Sequence, residues 1–276
     1  MHWLLTGSLR VDKLTVKIAN LPVSLKGLKL VQMSDFHYDG LRLSEELLAQ
    51  AIDACNEIKP DLIVLTGDYI TDDPKPIRQL VQRLKNLESR LGTYAVLGNH
   101  DIYYSHSQKE VTEAFTSIGV RVLWNEIVYP FGQEIALVGL ADYWSGEFKA
   151  ASIMNKLDPA IPRIVLSHNP DTAEILKQWR VDLQLSGHTH GGHIVIPGFG
   201  PAVKYYKQLL KIVPKKLKCR LPFLRPEFIK VVKNWEWSDG FHQVGKNQLY
   251  VNRGLGTYLP GRLFCPPEVT VITLES

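Results

Sequence analysis

The order of elements along these 276 residues predicts an α/β protein. Two observations carry this. Short β-branched runs alternate with stretches of helical periodicity. In addition, five polar residues, Asp35, Asp68, Asn99, His168 and His188, each stand just after a short apolar run. Open α/β sheets gather their sites outside the carboxyl ends of strands, so these five are expected to converge although about 150 residues separate them.

Taken in order, residues 11–18 alternate (Leu14, Val16, Ile18) and read as a strand, and residues 28–33 as a second, ending at Ser34-Asp35. Ser44 is expected to cap a helix with Glu45 and Glu46 near its positive end, its stripe being Leu47, Leu48, Ala51, Ile52, Cys55 and Ile58. Residues 62–65 form a buried strand ending at Gly67-Asp68. Pro76 suits a first helical position ahead of Ile77, Leu80, Val81, Leu84 and Leu87. Residues 94–97 lead to Gly98-Asn99-His100-Asp101. Ser107 with Glu110 reads as a capping box before Val111, Ala114, Phe115 and Ile118, with Gly119 as the stop. Further strands are expected at 120–123, 135–140, 164–166, 183–185, 194–196, 228–232, 248–251 and 269–274, and a short helix at about 170–179. Gly245-Lys246-Asn247 fits a hairpin turn. No repeat or linker divides the chain, so one domain is expected over 1–276, with a basic insertion at about 203–233.

Composition is that of a soluble globule, 45% hydrophobic and 22% charged. A chain this long needs no structural metal to fold, so a metal cluster in it points to chemistry. Cys55, Cys219 and Cys265 form no CxxC pair and read as reduced thiols. Residues 1–10 are too short and interrupted for a signal peptide, and no apolar run reaches about 18 residues. A cytoplasmic protein is expected. The net charge of +4 is uneven: residues 204–233 hold ten Lys/Arg against Glu227 alone, giving +9 there and −5 elsewhere. A local basic patch implies an anionic partner.

Two carboxylates, one carboxamide and four imidazoles with no thiol suit Mn, Fe, Zn or Co, not a zinc finger or a calcium cage. Asp35-Phe36-His37 and His188-Thr189-His190 share i, i+2 spacing, which an extended chain directs to one side, so each segment is expected to offer two ligands. Asp35, His37, Asp68, Asn99, His168, His188 and His190 are too many for one tetrahedral ion and suit two ions sharing a carboxylate. Such a site keeps a net positive charge and favours an anion such as a phosphodiester over a neutral amide.

These blocks resemble the calcineurin-like metallophosphoesterases. Asp35-Phe36-His37, Gly67-Asp68, Gly98-Asn99-His100-Asp101, His168 and Gly187-His188-Thr189-His190 are similar to that family's five ordered blocks, from about residue 28 to the C-terminus. The resemblance implies a four-layer α/β/β/α sandwich holding two divalent metal ions, manganese foremost, with iron or zinc as alternatives. It assigns Asp35, His37, Asp68 and His190 to one ion and Asp68, Asn99, His168 and His188 to the other. It makes His100 the general acid and Asp101 the group that orients its imidazole. Family protein phosphatases carry Asp-Arg-Gly after the second block and Glu in the third. This chain has Tyr69-Ile70-Thr71-Asp72 and Asp101 there, which disfavours a phosphoserine phosphatase. Its tail, Asn252-Arg253-Gly254-Leu255-Gly256 and then Cys265-Pro266-Pro267-Glu268, is similar to a bacterial phosphodiesterase branch close to UDP-diacylglucosamine pyrophosphatases.

The expected activity is hydrolysis of phosphodiester or pyrophosphate bonds, including those of a lipid-linked substrate such as UDP-diacylglucosamine. A nuclease acting on single strands is the alternative; a non-catalytic scaffold would have lost ligands or the acid histidine. Arg253 and Tyr38 are candidates to contact substrate, His193 reads as a strand residue, and His106 and His242 as surface residues. In residues 203–233 Tyr205, Tyr206, Leu209, Leu210, Ile212 and Val213 alternate with lysines. That pattern suits peripheral contact with an anionic membrane, at its inner face, ahead of nucleic acid. No obligate protein partner is expected.

Overall fold

Alternation of side chains along short strands builds the layers. In β2 (Lys29–Met33), Leu30 joins one apolar cluster while Val31 and Met33 join another. In β3 (Leu62–Leu65), Leu62 and Val64 share the first cluster, and Ile63 and Leu65 the second. Both faces of these strands are covered, which is why they read as continuous apolar runs. The computed structural model describes residues 6–205, 231–259 and 261–276, and two six-stranded sheets lie among them.

The first sheet runs β1 (Arg10–Lys17), β14 (Glu268–Glu275), β2, β3, β4 (Thr93–Ala95), β5 (Arg121–Val122). Its pairs are parallel except β14 against β2. The second runs β12 (Gly240–Val244), β13 (Asn247–Val251), β9 (Leu183–Ser186), β8 (Arg163–Leu166), β7 (Ala136–Gly139), β6 (Glu126–Val128), with antiparallel pairs at its two edges and parallel pairs between. The sheets pack face to face: Leu30, Leu62, Val64 and Ile272 share a buried cluster with Leu137, Ile164, Leu166 and Leu183. Helices α1 (Glu45–Ile58), α2 (Ile77–Leu84) and α3 (Ser107–Thr116) cover the outer face of the first sheet. Helices α4 (Ala150–Met154) and α5 (Thr172–Leu176) cover that of the second. The four-layer α/β/β/α sandwich is as expected. Among the described residues no helix is long and apolar enough to cross a bilayer.

Ser44 caps α1 as expected, accepting from the Leu47 amide at 3.2 Å, and Gly245-Lys246 turns the chain between β12 and β13. The capping box at Ser107 is corrected. Ser107 lies inside the first turn of α3 and its buried hydroxyl has no partner among the described residues, while the preceding His106 makes no side-chain cap. The helix expected at 170–179 shortens to α5, with single turns on either side. Strands β6 and β12, helix α4 and the hairpin of β10 (Val195–Ile196) with β11 (Gly200–Pro201) complete the fold. Of the strand expected at 228–232, residues 228–230 lie outside the described residues, as does most of the basic insertion, and Val231 and Val232 are not in a strand.

Leu30 has no exposed surface between the sheets. Leu30→Ala is expected to destabilise the fold by about 2–5 kcal/mol, read from urea unfolding. A change under about 1 kcal/mol would mean that the two sheets can close the gap.

Candidate metal centre

Strands β2 and β3 end at Met33 and Leu65, yet their ladder continues. Asp35, His37 and Tyr38 donate their amides to the carbonyls of Gly67, Asp68 and Tyr69 at 2.9, 3.0 and 2.9 Å. Here the backbone turns left-handed, with φ of 51° at Asp35, 43° at His37 and 55° at Asp68. His188 and His190, beyond β9, have φ of 72° and 50°. Such a conformation costs an L-residue roughly 1–2 kcal/mol and persists where the surroundings over-determine it. This corrects the idea that an extended chain aligns each i, i+2 pair. Asp35 and His37 come together through left-handed turns, and His188 and His190 separate into different clusters.

Those clusters are Asp35, His37 and His190, and Asp68, His168 and His188, with the ligand atoms of each within 4.8 Å of one another. All six residues are buried. His37 Nε2 lies 3.1 Å from His190 Nε2, and His190 Nε2 lies 3.4 Å from Asp35 Oδ1. His168 Nε2 lies 3.1 Å from His188 Nδ1. Asp68 Oδ2 joins the two clusters, 3.1 Å from His168 Nε2 and 3.7 Å from His37 Nε2. Asn99 contributes a buried amide oxygen with no hydrogen-bond partner among the described residues. Nitrogens packed this closely, beside an orphaned acceptor and buried carboxylates, fit a pair of divalent cations.

The outward nitrogen of each imidazole fixes its tautomer. His168 Nδ1 donates to the Thr66 carbonyl at 2.7 Å, His190 Nδ1 faces that of Gly256 at 3.4 Å, and His188 Nε2 donates to that of Val231 at 2.9 Å. His37 Nδ1 meets the Tyr258 hydroxyl at 3.0 Å. Opposite a carbonyl, the outward nitrogen of His168, His188 and His190 carries its proton, which leaves the other nitrogen of each ring facing its cluster. Burial drives His37 and His190 well below the ordinary imidazole range and His188 down to about 4, so all three are neutral at neutral pH, the form that binds metal. His168 differs. Burial opposes its charge, but Asp68 and Asp35 outweigh that and push it up to about 10. Burial raises Asp35 to about 6.

Asp101 is corrected in its role. Its carboxylate accepts from the amides of Asp68, Tyr69 and Gly98 at 2.8 Å each, tying the second block to the third. The ring of the half-exposed His100 instead donates from Nδ1 to the Thr71 carbonyl, with Asp72 at 3.8 Å. Arg253 faces away from the centre, paired with Asp12 at 2.6 Å and Glu268 at 3.1 Å. Tyr38 buries its ring under α1 and donates its hydroxyl to Glu45. His193 lies outside any strand, its ring 4.8 Å from that of His190. Sequence reasoning missed Tyr258, which Arg42 overlies at 4.4 Å, and Trp144, whose ring stands 4.9 Å from His188. Neither has a motif to mark it.

The sequence profile of the calcineurin-like phosphoesterases matches residues 28–192. An uncharacterised metallophosphoesterase of Bacillus subtilis, YkuE, is 33% identical over 269 residues, 95% of this chain and 84% of its own. The phosphodiesterase YaeI of Escherichia coli is 32% identical over 89% of this chain and 82% of its own. The UDP-2,3-diacylglucosamine pyrophosphatase LpxG of Chlamydia muridarum is 26% identical over 96% of this chain and 88% of its own.

Two outcomes follow from the geometry. Metal must displace the His168 proton, whose pKa is about 10, so affinity should rise with pH. The association constant, from chelator competition, is expected to gain about tenfold per pH unit between 7 and 9, and more steeply below pH 6 as Asp35 also protonates. A pH-independent constant would contradict this. A Cβ at Gly187 would lie 2.0 Å from Ser34 Oγ and 2.2 Å from Asp35 Oδ2. Gly187→Ala should therefore lower the metal content of the purified protein, and content equal to the parent's would show that the Asp35 loop yields.

Proposed function

The chain belongs to the calcineurin-like phosphoesterase family and is a phosphoric ester hydrolase, and from that premise we propose that it cleaves phosphodiester or pyrophosphate bonds, including those of lipid-linked substrates such as UDP-diacylglucosamine. One observation carries the reading: a buried carboxylate, Asp68, stands within 3.7 Å of one histidine cluster and 3.1 Å of the other. In this proposal Asp35, His37, Asp68 and His190 hold one cation, and Asp68, Asn99, His168 and His188 the other. When bound, two divalent cations, manganese foremost and iron or zinc next, supply Lewis acidity toward phosphoryl oxygens and activate water at neutral pH.

The chain's own groups do the rest. His100 acts as the general acid. Its Nδ1 donates to the Thr71 carbonyl, so Nε2 is the ring nitrogen left to pass a proton to the leaving oxygen. Its backbone amide donates to Asp68 Oδ1 at 2.9 Å, which holds the acid at a fixed distance from the shared carboxylate. Asp101 acts through the backbone, by fixing the loops that carry Asp68 and Asn99. The lipid-linked substrate is supported by the similarity to the diacylglucosamine pyrophosphatase and by the +9 charge of residues 204–233. That charge suits a peripheral position on an anionic membrane at the cytoplasmic face.

Asp68→Ala should lose both metals and all activity. His100→Gln should keep its metals while turnover falls roughly 10²–10⁴-fold, the scale of one general acid. Metal analysis beside turnover of bis(p-nitrophenyl) phosphate with Mn²⁺ reads both, and metal loss in the His100 variant would refute its role. A parallel comparison of a nucleotide-sugar lipid with single-stranded DNA decides the substrate class. Preference for DNA would make the enzyme a nuclease.

A further inference from the structure

Large apolar side chains stand exposed along one rim of the metal centre. Ile196 and Phe199, on the β10–β11 hairpin, are 40% and 67% exposed. Leu259, Leu263 and Phe264, on the segment after Tyr258, are 84%, 53% and 67% exposed. Backbone bonds join the two segments: Val195 donates to the Leu263 carbonyl and Leu263 to that of His193, both at 2.9 Å. The Tyr205 hydroxyl donates to the Phe199 carbonyl at 2.9 Å. The same surface reaches the centre, because the Tyr258 amide donates to His193 Nε2 at 3.2 Å while its hydroxyl meets His37.

Single exposed apolar residues need no explanation, but a joined set beside an active centre marks a binding surface. Phe264 adds a second sign. Its φ is 55°, a left-handed conformation that a bulky residue rarely adopts, so the backbone is strained where the ring is held in solvent. Charge identifies the occupant. Lys204 and Lys233, the described ends of the basic segment, line one open cavity of ≈ 250 Å³, and Tyr205 beside them bonds to Phe199. Both lysines therefore stand next to this rim. Apolar tips on neighbouring loops beside these two lysines, in a chain whose residues 204–233 carry +9, match a phospholipid surface: the tips enter the acyl boundary while cations meet anionic headgroups.

We infer that this rim, carried by Phe199, Leu263 and Phe264 with Ile196 and Leu259, docks the protein on an anionic lipid bilayer. Docking here sets the metal centre at the headgroup level, where the phosphates of a lipid-linked substrate lie. The inference rests on the proposed substrate class only for that last consequence, because vesicle binding is read without any turnover.

The test is cosedimentation of the full chain with phosphatidylcholine vesicles with and without phosphatidylglycerol, at low salt. The parent should bind the anionic vesicles. Phe199→Ser and Phe264→Ser should each weaken binding about tenfold, and the double variant about a hundredfold, as expected for loss of one partly buried aromatic side chain at a time. All variants should turn over bis(p-nitrophenyl) phosphate at the parent's rate, which shows that fold and centre are intact. The inference is overturned if the parent ignores anionic vesicles, or if the double variant binds them as the parent does. It is also overturned if light scattering shows that the same substitutions dissolve a parent dimer and leave vesicle binding unchanged. Vesicle binding that depends on the phenylalanines, in a parent without turnover, would sink the hydrolase reading and leave the docking surface standing.

Discussion

One carboxylate constrains everything around it. Asp68 is 1% exposed, and a lone anion so placed would be strongly destabilising. It is tolerated because donors face both its oxygens, although Asp35 and Asp101 stand nearby with charge of the same sign. His168 faces one oxygen at 3.1 Å and the His100 amide donates to the other at 2.9 Å. Its own amide is gripped by Asp101. Gly98 has no side chain because a Cβ there would stand 2.2 Å from Asp68 Oδ1. The loops after β3 and β4 are thus shaped by the need to keep one negative group dry and shared between two histidine clusters.

Much of this was legible in the sequence, for a physical reason. Parallel strands covered on both faces must be apolar throughout, so residues 62–65 and 164–166 announced themselves, and the polar residue that ended each run could only lie at a strand tip. Elements without such a signature were missed. Helix α4 has five residues, too few for a visible stripe, and β12 is an edge strand of half-exposed residues such as His242. Ser107 carried the pattern of a cap without the position of one, because the pattern does not say where helical backbone starts.

The centre divides along the same line. Its inward ligands are side chains and could be named. Their outward supports are largely carbonyls, those of Thr66, Gly256 and Val231, and any residue supplies a carbonyl. Tyr258 is the exception, and it stands 221 residues from the His37 it touches, with no motif to join them. Asp101 was found as a residue and misread as a role. A carboxylate next to His100 in sequence looks like its partner, but three converging amides offered it a better site. Arg253 was likewise drawn to fixed anions, Asp12 and Glu268, ahead of a transient one.

The support of His188 has a thermodynamic corollary. The carbonyl that orients this ligand belongs to Val231, near the C-terminal end of the basic segment. Occupancy of the second cluster and the placement of that stretch of backbone are therefore linked quantities. An anion that displaced this stretch of backbone would shift cation affinity by a factor, and cation loading would then shift affinity for that anion by the same factor.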